Sequence, residues 1–288
     1  VFPALCFIYI LKLSLIYLNI NIKYMKIAFI FIIKDGEEYL ERNLNTIYKF
    51  NQDIYAVENN STDNTKNILR KANLKKVITL DLDNTDAVEL CKKNEKVTCP
   101  KRLRRLAYIR QQGLDAVMNS GIEYDYICML DLDFVSFDYN GLVNMFTYME
   151  NNKKVDAMFG MSKIKNSKIP YDHGPIEPWY KVIPIFSGIK RHVNVTSAFS
   201  GFGIYRYSSV KNTGAQYDYK TITDIEHKHF NSYFDKIVVD THFNPIYEPR
   251  PFIFKRDTLE FFSNRNIQIH CILCIIMCII FYKKCKVN

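Results

Sequence analysis

The sequence predicts an α/β fold with one mixed, mostly parallel sheet flanked by helices. Short apolar runs rich in Ile, Val and Phe alternate along the chain with segments whose apolar residues recur at helical spacing. Such alternation is typical of strand-helix-strand units in a doubly wound sheet. In addition, Asp131 and Asp133 directly follow one of the apolar runs, at the edge where open α/β sheets bind their ligands.

Composition favours one large catalytic domain with extra terminal segments, since the chain has 288 residues. Hydrophobic residues make up 48% of it and charged residues 24%, which is enough apolar material for a substantial core. The formal charge of +9 suits a phosphate-bearing ligand or an anionic membrane face equally well. Because the basic residues are spread along the chain without the aromatic pattern of an RNA-binding module, we expect no nucleic-acid partner.

The first part of the chain predicts three strands and two helices in alternation. Residues 26–33 form a continuous apolar run that is too short for a typical helix, so we interpret it as a buried parallel strand. Asp35 and Gly36 end this strand. The elements that follow are predicted as a helix at 37–50, a strand at 54–57, a helix ending near residue 72 and a strand at 76–80.

The second part begins with a polar segment, residues 81–100, which we interpret as a surface insertion. A long helix is predicted at 101–119, and the strand predicted at 126–130 runs directly into Asp131. Further strands are predicted at 155–159, 193–199 and 236–240, with a loop rich in Pro and aromatic residues at 173–184.

Asp131 and Asp133 predict a metal site. Because they are two residues apart along an extended segment, their side chains point to the same side. Mg²⁺ and Mn²⁺ take oxygen ligands and usually retain substrate oxygens, so two carboxylates at this place can hold a cation against a diphosphate. A cation held there would stabilise a leaving nucleotide diphosphate.

A second acidic pair, Asp81 and Asp83, leaves a different enzyme open. It resembles the nucleophile motif of haloacid-dehalogenase-type phosphatases, in which the first Asp is phosphorylated and the second is the general acid. That motif normally opens the domain, whereas two predicted strand-helix units precede it here. A phosphatase that uses Asp81 and Asp83 is therefore one enzyme that the sequence leaves open. A second open possibility, without catalysis, is a membrane-tethered protein that binds sugar nucleotides.

Two motifs in the first half resemble those of one enzyme group. The segment V-E-N-N-S-T-D-N-T at 57–65 is similar to the loop that glycosyltransferases use for the donor nucleotide. The segment R-L-R-R-L-A-Y-I-R at 102–110 resembles the R-x-x-x-L-A-x-x-R helix of the fungal capsule-associated mannosyltransferase family and of related viral and bacterial glycosyltransferases. In that family an Asn often follows the second Arg, where this chain has Gln111.

The resemblance continues to about residue 248, with the motifs in the same order. The segment S-A-F-S-G-F-G-I-Y-R at 197–206 is similar to the acceptor loop of these enzymes, where glycine lets a sugar approach the backbone closely. The segment D-I-E-H at 224–227 resembles the family's C-E-H segment, with Ile225 in place of the cysteine. Asn244 and Pro245 match the end of the family pattern.

This resemblance implies a GT-A fold, which is the Rossmann-like fold of nucleotide-diphospho-sugar transferases. It implies a metal-dependent, hexosyltransferase-like glycosyltransferase that moves a sugar from a UDP- or GDP-sugar to a carbohydrate or glycoconjugate hydroxyl. Mn²⁺ or Mg²⁺ is the expected cofactor, with Asp131, Asp133 and His227 as ligands. Glu226 and His227 are the expected catalytic residues. The expected substrate-binding residues are Glu58, Asn60, Asp63, Arg102, Arg110, Asp131, Gly201 and Phe202.

Three parts of the chain are predicted: an apolar N-terminal segment at 1–24, a catalytic domain at 25–250 and a tail at 251–288. The first segment is either a signal-anchor helix or sequence upstream of Met25. In the tail, the apolar residues 267–282 precede several lysines and predict a short membrane anchor, a membrane-surface helix or a buried helix.

We expect a cytoplasmic catalytic domain, membrane-associated through an apolar terminus. Asn60 lies in a glycosylation sequon within the predicted nucleotide loop, where a glycan would block the site. The eight cysteines lack the spacing of a zinc site or of a disulfide framework, so we expect reduced thiols.

Overall fold

The structure, a computed structural model, describes residues 24–82, 99–166, 171–172, 174–178 and 190–248. The strands in these residues are β1 (Ile27–Ile33), β2 (Asp53–Asn59), β3 (Lys76–Leu80), β4 (Tyr126–Asp131), β5 (Ala157–Gly160), β6 (Lys163–Ile164), β7 (His192–Val195), β8 (Phe202–Arg206), β9 (Ile237–Asp240) and β10 (Ile246–Tyr247). The helices are α1 (Glu37–Tyr48), α2 (Thr65–Lys71), α3 (Pro100–Met118), α4 (Tyr139–Asn151), α5 (Tyr207–Thr213) and α6 (Glu226–Asn231).

Eight of these strands form one sheet in the order β3-β2-β1-β4-β8-β5-β9-β7, and β6 pairs with β10 separately. Strands β3, β2, β1 and β4 are parallel to one another, and β5 is parallel to β9. Strand β8 runs antiparallel between β4 and β5, and β7 runs antiparallel beside β9. All strands of this sheet except β7 and β8 therefore run in one direction. We call the side on which they end the carboxyl edge.

Helices cover both faces of the sheet. Phe29 and Phe31 of β1 pack in one buried core with residues of α1, α2 and α4. Ala28 and Ile30 of the same strand pack in a second core with residues of α3, α5 and α6. This division follows from the alternation of side chains along a strand, and it gives the continuous apolar run of β1 two buried faces. The predicted α/β fold with a mixed, mostly parallel sheet flanked by helices is confirmed.

Local sequence explains where several helices begin and end. Asp138 caps α4, because its carboxylate accepts the backbone N–H groups of Asn140 and Gly141 at 3.2 and 2.7 Å. Pro100 occupies the first turn of α3, where its missing N–H has no helical partner to lose. Helix α5 ends at Gly214, whose φ of 63° is a left-handed conformation that glycine adopts without strain.

Most predicted elements form with bounds within two residues of those expected. The predicted strand 193–199 is an exception, since β7 ends at Val195. Residues 202–206, which we interpret from sequence as part of an acceptor loop, instead form β8 between β4 and β5. Helix α4 has no counterpart among the predicted elements.

Several predictions concern residues that the structure does not describe. They are the apolar segments at 1–23 and 267–282, most of the insertion at 83–98, and the domain limit near residue 250. Among the described residues, no helix is both long enough and apolar enough to cross a membrane.

One prediction about cysteines is wrong. Cys99, which directly precedes α3, is disulfide-bonded rather than reduced. Cys128 of β4 is a free thiol and fully buried, and burial raises its pKa.

Candidate active site

The predicted nucleotide and metal residues meet at the carboxyl edge, on the two strands that flank β1. Asp131 of β4 lies opposite Ile32 of β1, and Glu58 of β2 lies opposite the next residue, Ile33. Neighbouring strands are about 4.8 Å apart, so the backbones of Glu58 and Asp131 are roughly 10 Å apart. This edge of an open α/β sheet is where ligands bind.

The aspartate pair has the orientation that the sequence predicts. Asp131 and Asp133 are partly exposed, whereas Leu132 between them is fully buried. Both carboxylates therefore face the cleft and Leu132 faces the core.

Buried hydrogen bonds fix the backbone around this pair. The Asn43 side chain, on α1, donates to the carbonyl oxygens of Leu132 and Phe134 at 3.1 and 2.8 Å. On the other side, the Asp131 N–H donates to the Gly201 carbonyl at 2.9 Å. Asn43 is not among the predicted site residues, and its only signal in the sequence is a polar residue on the apolar face of a predicted helix.

Glu58 is fully buried at the end of β2. Its Oε1 accepts the Ser61 N–H at 2.6 Å, which folds the loop back over the side chain. Its Oε2 is also buried and has no hydrogen-bond partner among the described residues. An unmatched buried carboxylate oxygen is costly, so this atom is a strong acceptor for a donor group that enters the site.

The loops after β1 and β2 are joined by hydrogen bonds, and Asp63 belongs to this framework. Its Oδ1 accepts the Thr65 N–H and its Oδ2 accepts the Glu37 N–H, both at 3.0 Å. Asp35 makes a reciprocal contact, because its Oδ1 accepts the Thr62 N–H at 2.7 Å. These bonds engage both carboxylate oxygens of Asp63 in holding the loops, which differs from the substrate contact expected of it.

Asn60 lies in the same loop. It adopts a left-handed backbone conformation with φ of 57°, and its N–H donates to the Leu80 carbonyl at 3.2 Å. Asn tolerates this conformation better than most residues. The side chain is partly exposed, so a nucleotide can reach it.

Arg110 is buried in α3 and contacts two acidic residues. Its Nη1 and Nη2 donate to Asp131 at 2.9 and 3.3 Å, and its Nε donates to Glu226 at 3.1 Å. Burial acts to lower the pKa of Arg110, but the charges of Asp131 and Glu226 raise it above its ordinary value. The guanidinium stacks over Phe199, with 4.8 Å to the ring centroid. Arg110 therefore lies under the site rather than in the cleft, where a phosphate contact would require it.

His227 is buried next to this cluster. Its ring stacks on Phe199 with centroids 3.5 Å apart, and its Nδ1 is 3.3 Å from the Tyr217 hydroxyl. Nε2 has no hydrogen-bond partner among the described residues and lies 3.8 Å from Glu226 Oε1. Burial and the charge of Arg110 lower the pKa of His227 well below its usual range, so the imidazole is neutral.

The three expected metal ligands are not assembled as one set. In the described ranges, no three His, Cys, Asp or Glu side chains are grouped as a ready cation site. Asp131 and Asp133 share the cleft, whereas His227 is only 1% exposed. Two hard oxygen donors with open positions beside them suit Mg²⁺ or Mn²⁺, which commonly complete their shells with water and phosphate oxygens.

Phe202 and Gly201 have different roles from those expected. Phe202 is fully buried in β8 and packs on Phe243, with ring centroids 4.8 Å apart, so its side chain has no exposed surface for the expected substrate contact. Gly201 has φ of 76°, and a Cβ at this position would overlap the Tyr247 hydroxyl. The space beside Gly201 is therefore filled by Tyr247 of β10, where we expected a sugar.

Arg102 and Asp172 lie at the outer side of the site. Arg102 is exposed in the first turn of α3, as a contact to phosphate would require. Asp172 is not among the predicted site residues. Restricted access of water and the like charges of Glu226 and Asp131 raise the pKa of Asp172, while Arg102 lowers it. Asp172 is exposed, so the neighbouring charges contribute more to this increase in pKa than the loss of water does.

The sequence matches no protein-family model and no curated protein. A crystal structure of glucosyl-3-phosphoglycerate synthase from Mycobacterium tuberculosis with Mn²⁺, UDP and glucosyl-3-phosphoglycerate is 11% identical, with a TM-score of 0.47 over 86% of this chain and 79% of that chain. A complex of the same enzyme with Mn²⁺, UDP-glucose and glycerol 3-phosphate is 12% identical, with a TM-score of 0.44 and the same coverage. A structure described as a mycobacterial protein is 11% identical, with a TM-score of 0.47 over 81% of this chain and 71% of that one.

Proposed function

We propose that this chain is a metal-dependent glycosyltransferase of the GT-A type, which moves a sugar from a nucleotide-diphosphate sugar to a hydroxyl acceptor. The observation that carries the proposal is the placement of Glu58, Asp131 and Asp133 at one edge of the sheet, on the strands that flank β1. A nucleotide diphosphate offers N–H groups at one end and phosphate oxygens at the other. The site offers a buried acceptor at one end and a cation-binding pair at the other.

Glu58 binds the base in this proposal. Uracil and guanine both carry ring N–H donors, and Glu58 Oε2 is a buried acceptor without a hydrogen-bond partner among the described residues. A base N–H directed at Oε2 would satisfy that atom. Asn60, beside it and partly exposed, is placed to contact the ribose or base.

Asp131 and Asp133 hold Mn²⁺ or Mg²⁺ in this proposal. Arg110 contacts each oxygen of Asp131 once, and a carboxylate oxygen has a second lone pair for a cation. When bound, the cation neutralises negative charge on the departing diphosphate. Arg102, exposed at the start of α3, supplies a further positive charge for the phosphates.

Glu226 and His227 are the catalytic residues in this proposal. Arg110 contacts Glu226 through Oε1, which leaves Oε2 for an acceptor hydroxyl. His227 is neutral, and its Nε2, which lies 3.8 Å from Glu226 Oε1, is available to accept a proton. We propose a carbohydrate or glycoconjugate as the acceptor.

The test is donor binding and turnover by the full chain, with UDP- and GDP-sugars, in the presence and absence of Mn²⁺. We expect one nucleotide to raise the melting temperature only when Mn²⁺ is present, because a ligand that binds the folded state stabilises it. D133A should lose both this shift and sugar transfer. D235A is the control, since Asp235 is an exposed carboxylate two residues before β9, at the opposite edge of the sheet.

Three results would count against the proposal. Unchanged transfer by D133A would remove the metal site from the mechanism. Metal-dependent binding of a donor without transfer or hydrolysis would identify a sugar-nucleotide-binding protein. Hydrolysis of phosphate esters that depends on Asp81 would instead identify the phosphatase.

A further inference from the structure

Tyr217 lies behind His227, between helix α6 and strand β4, and its side chain is buried. Its hydroxyl oxygen is 3.3 Å from Nδ1 of His227 and 3.0 Å from the sulfur of Met129 in β4. Met129 precedes Asp131 by two residues on the same strand. One hydroxyl therefore contacts both the strand that ends in the aspartate pair and the helix that carries Glu226 and His227.

Two contacts fix the place of Tyr217. Its ring stacks on Phe230, with centroids 4.2 Å apart and planes 3° apart. Its backbone N–H donates to Oε1 of Gln111 at 2.7 Å, and Nε2 of Gln111 donates to Asp115 at 2.7 Å. Because a carboxylate only accepts, the bond to Asp115 determines that the amide oxygen of Gln111 faces Tyr217. Gln111, where the mannosyltransferase family often has Asn, thus holds Tyr217.

The ring of His227 is also fixed. It stacks on Phe199, with centroids 3.5 Å apart and planes 11° apart, and lies edge-on to Tyr217 with centroids 5.5 Å apart. Only 1% of the residue is exposed, and burial disfavours the charged imidazolium, so the ring carries one hydrogen. The nitrogen that carries this hydrogen is a donor, and the other nitrogen is the acceptor.

The contact with Met129 decides which nitrogen that is. A thioether sulfur has no hydrogen to give, so the hydroxyl hydrogen of Tyr217 is directed at the sulfur. The oxygen of Tyr217 then presents a lone pair to Nδ1 of His227, and Nδ1 must be the donor. The lone pair of the imidazole is therefore on Nε2, which lies 3.8 Å from Oε1 of Glu226.

We propose that Tyr217 is a positioning residue that sets the tautomer of His227, because its oxygen takes the hydrogen bond from Nδ1 and leaves the lone pair on Nε2. The inference rests on the proposed function, in which Nε2 accepts a proton. A hydrogen on Nε2 would remove this acceptor. Tyr217 and Met129 together thus keep His227 in the form that can act as a base.

The experiment is ¹⁵N nuclear magnetic resonance of the imidazole nitrogens in the full chain at pH 7. An imidazole nitrogen that carries hydrogen and one that does not have well separated frequencies, and loss of signals in H227N assigns those of His227. We expect hydrogen on Nδ1 in wild type. In Y217F the partner of Nδ1 is lost, and the ratio of the two tautomers should shift toward hydrogen on Nε2 by roughly 5- to 150-fold.

M129L tests the direction of the hydrogen bond while Tyr217 stays in place. Leu has a volume similar to that of Met but no sulfur, so the fold should tolerate it. The hydroxyl hydrogen of Tyr217 is then free to turn to Nδ1, and the hydrogen of His227 should move to Nε2. A purely structural role of Tyr217 predicts no such change. In both variants kcat for sugar transfer should fall, whereas the KM for the donor should stay at its wild-type value.

Y219F is the matched control. Tyr219 is a partly buried tyrosine two residues further along, which packs edge-on against Tyr108 with centroids 5.1 Å apart. Its variant should keep the wild-type signals of His227. Hydrogen on Nε2 in wild type, or unchanged signals in both Y217F and M129L, would overturn the inference. The signals are measured without substrate, so absence of sugar transfer by wild type would count against the proposed function and leave the tautomer assignment standing.

Discussion

The guanidinium of Arg110 donates to both carboxylate oxygens of Asp131, at 2.9 and 3.3 Å. The two side chains differ in exposure: that of Arg110 is 4% exposed and that of Asp131 is 27% exposed. The positive charge thus lies on the protein side of the pair and the negative charge on the cleft side. Nε of the same guanidinium also contacts Glu226. Arg110 therefore connects the expected metal site to one of the expected catalytic residues.

The first prediction concerns R110M. Removal of one partner from a buried ion pair commonly costs about 3–5 kcal/mol, because the remaining charge stays buried. We expect R110M at the lower end of that range, since water reaches Asp131. The measurement is urea unfolding, and sugar transfer should fall together with stability because both carboxylates lose their anchor.

A double variant separates the two acidic partners of Arg110. E226Q removes the more deeply buried of the two negative charges. The loss of stability in R110M/E226Q should therefore be smaller than the sum of the losses in R110M and in E226Q. K101M, an exposed cation on the same helix, should change stability by less than about 0.5 kcal/mol. Strictly additive losses in the double variant would show that the Arg110–Glu226 contact is not energetically coupled.

The second prediction concerns the contact between Glu58 and the nucleotide base. E58Q keeps an oxygen for the Ser61 N–H but places an amide NH₂ where Oε2 was, so two donors would face each other in the nucleotide complex. A mismatch of this kind costs about 1–3 kcal/mol, which corresponds to a loss of affinity of roughly 5- to 150-fold. Calorimetric titration of UDP and GDP with Mn²⁺ measures it.

E38Q is the control for this loss. Glu38 is exposed in the first turn of α1, and its neutralisation should leave nucleotide affinity unchanged. Equal affinities for wild type and E58Q would mean that Oε2 does not contact the base.

The sequence was sufficient for the parallel half of the sheet because those strands carry a strong signal. β1 and β4 are buried on both faces, which produces continuous apolar runs that no exposed element would show. Asp131 and Asp133 were found for the same reason, since the end of a buried run marks the ligand-binding edge. Helix α4 is absent from the predicted elements, although Leu142, Phe146 and Met149 lie on one buried face and Asp138 caps its start.

The sequence was not sufficient for contacts made across long separations. Residues 202–206 resemble a glycine-containing loop, but β4 and β5 enclose them and make them a strand. Tyr247 of β10 lies against Gly201, and no local pattern indicates such a contact. Arg110 has the sequence spacing expected of a residue that binds phosphate. In the structure its guanidinium instead donates hydrogen bonds to Asp131 and Glu226.

The third prediction separates packing from substrate binding at Phe202. F202L should destabilise the protein by a fraction of the roughly 3–5 kcal/mol that Phe→Ala costs in a core. The KM for the acceptor should stay at its wild-type value, because the side chain is fully buried among aromatic residues. Thermal unfolding and initial rates with the donor saturating provide the two measurements. A rise in acceptor KM without loss of stability would show that Phe202 contacts the acceptor.

The fourth prediction concerns pH and the loop framework at Asp63. Burial acts to raise the pKa of Asp63, but hydrogen bonds from Thr65 and from the Glu37 N–H outweigh it and lower the pKa below its ordinary value. A carboxylate with a lowered pKa in the folded state stabilises the protein above the unfolded pKa, which is about 3.9 for Asp. That contribution is lost as pH falls through the lower, folded pKa.

D63N removes this titration while it keeps one oxygen acceptor. Wild type should therefore melt at a higher temperature than D63N at pH 7, and the difference should shrink as pH falls below about 4. Melting curves of both proteins between pH 7 and pH 3 measure it. D235N, with an exposed carboxylate at the opposite edge, should show a much smaller pH-dependent difference. A difference between wild type and D63N that stays constant, or grows, as pH falls would mean that the ionised carboxylate of Asp63 does not hold the two loops together.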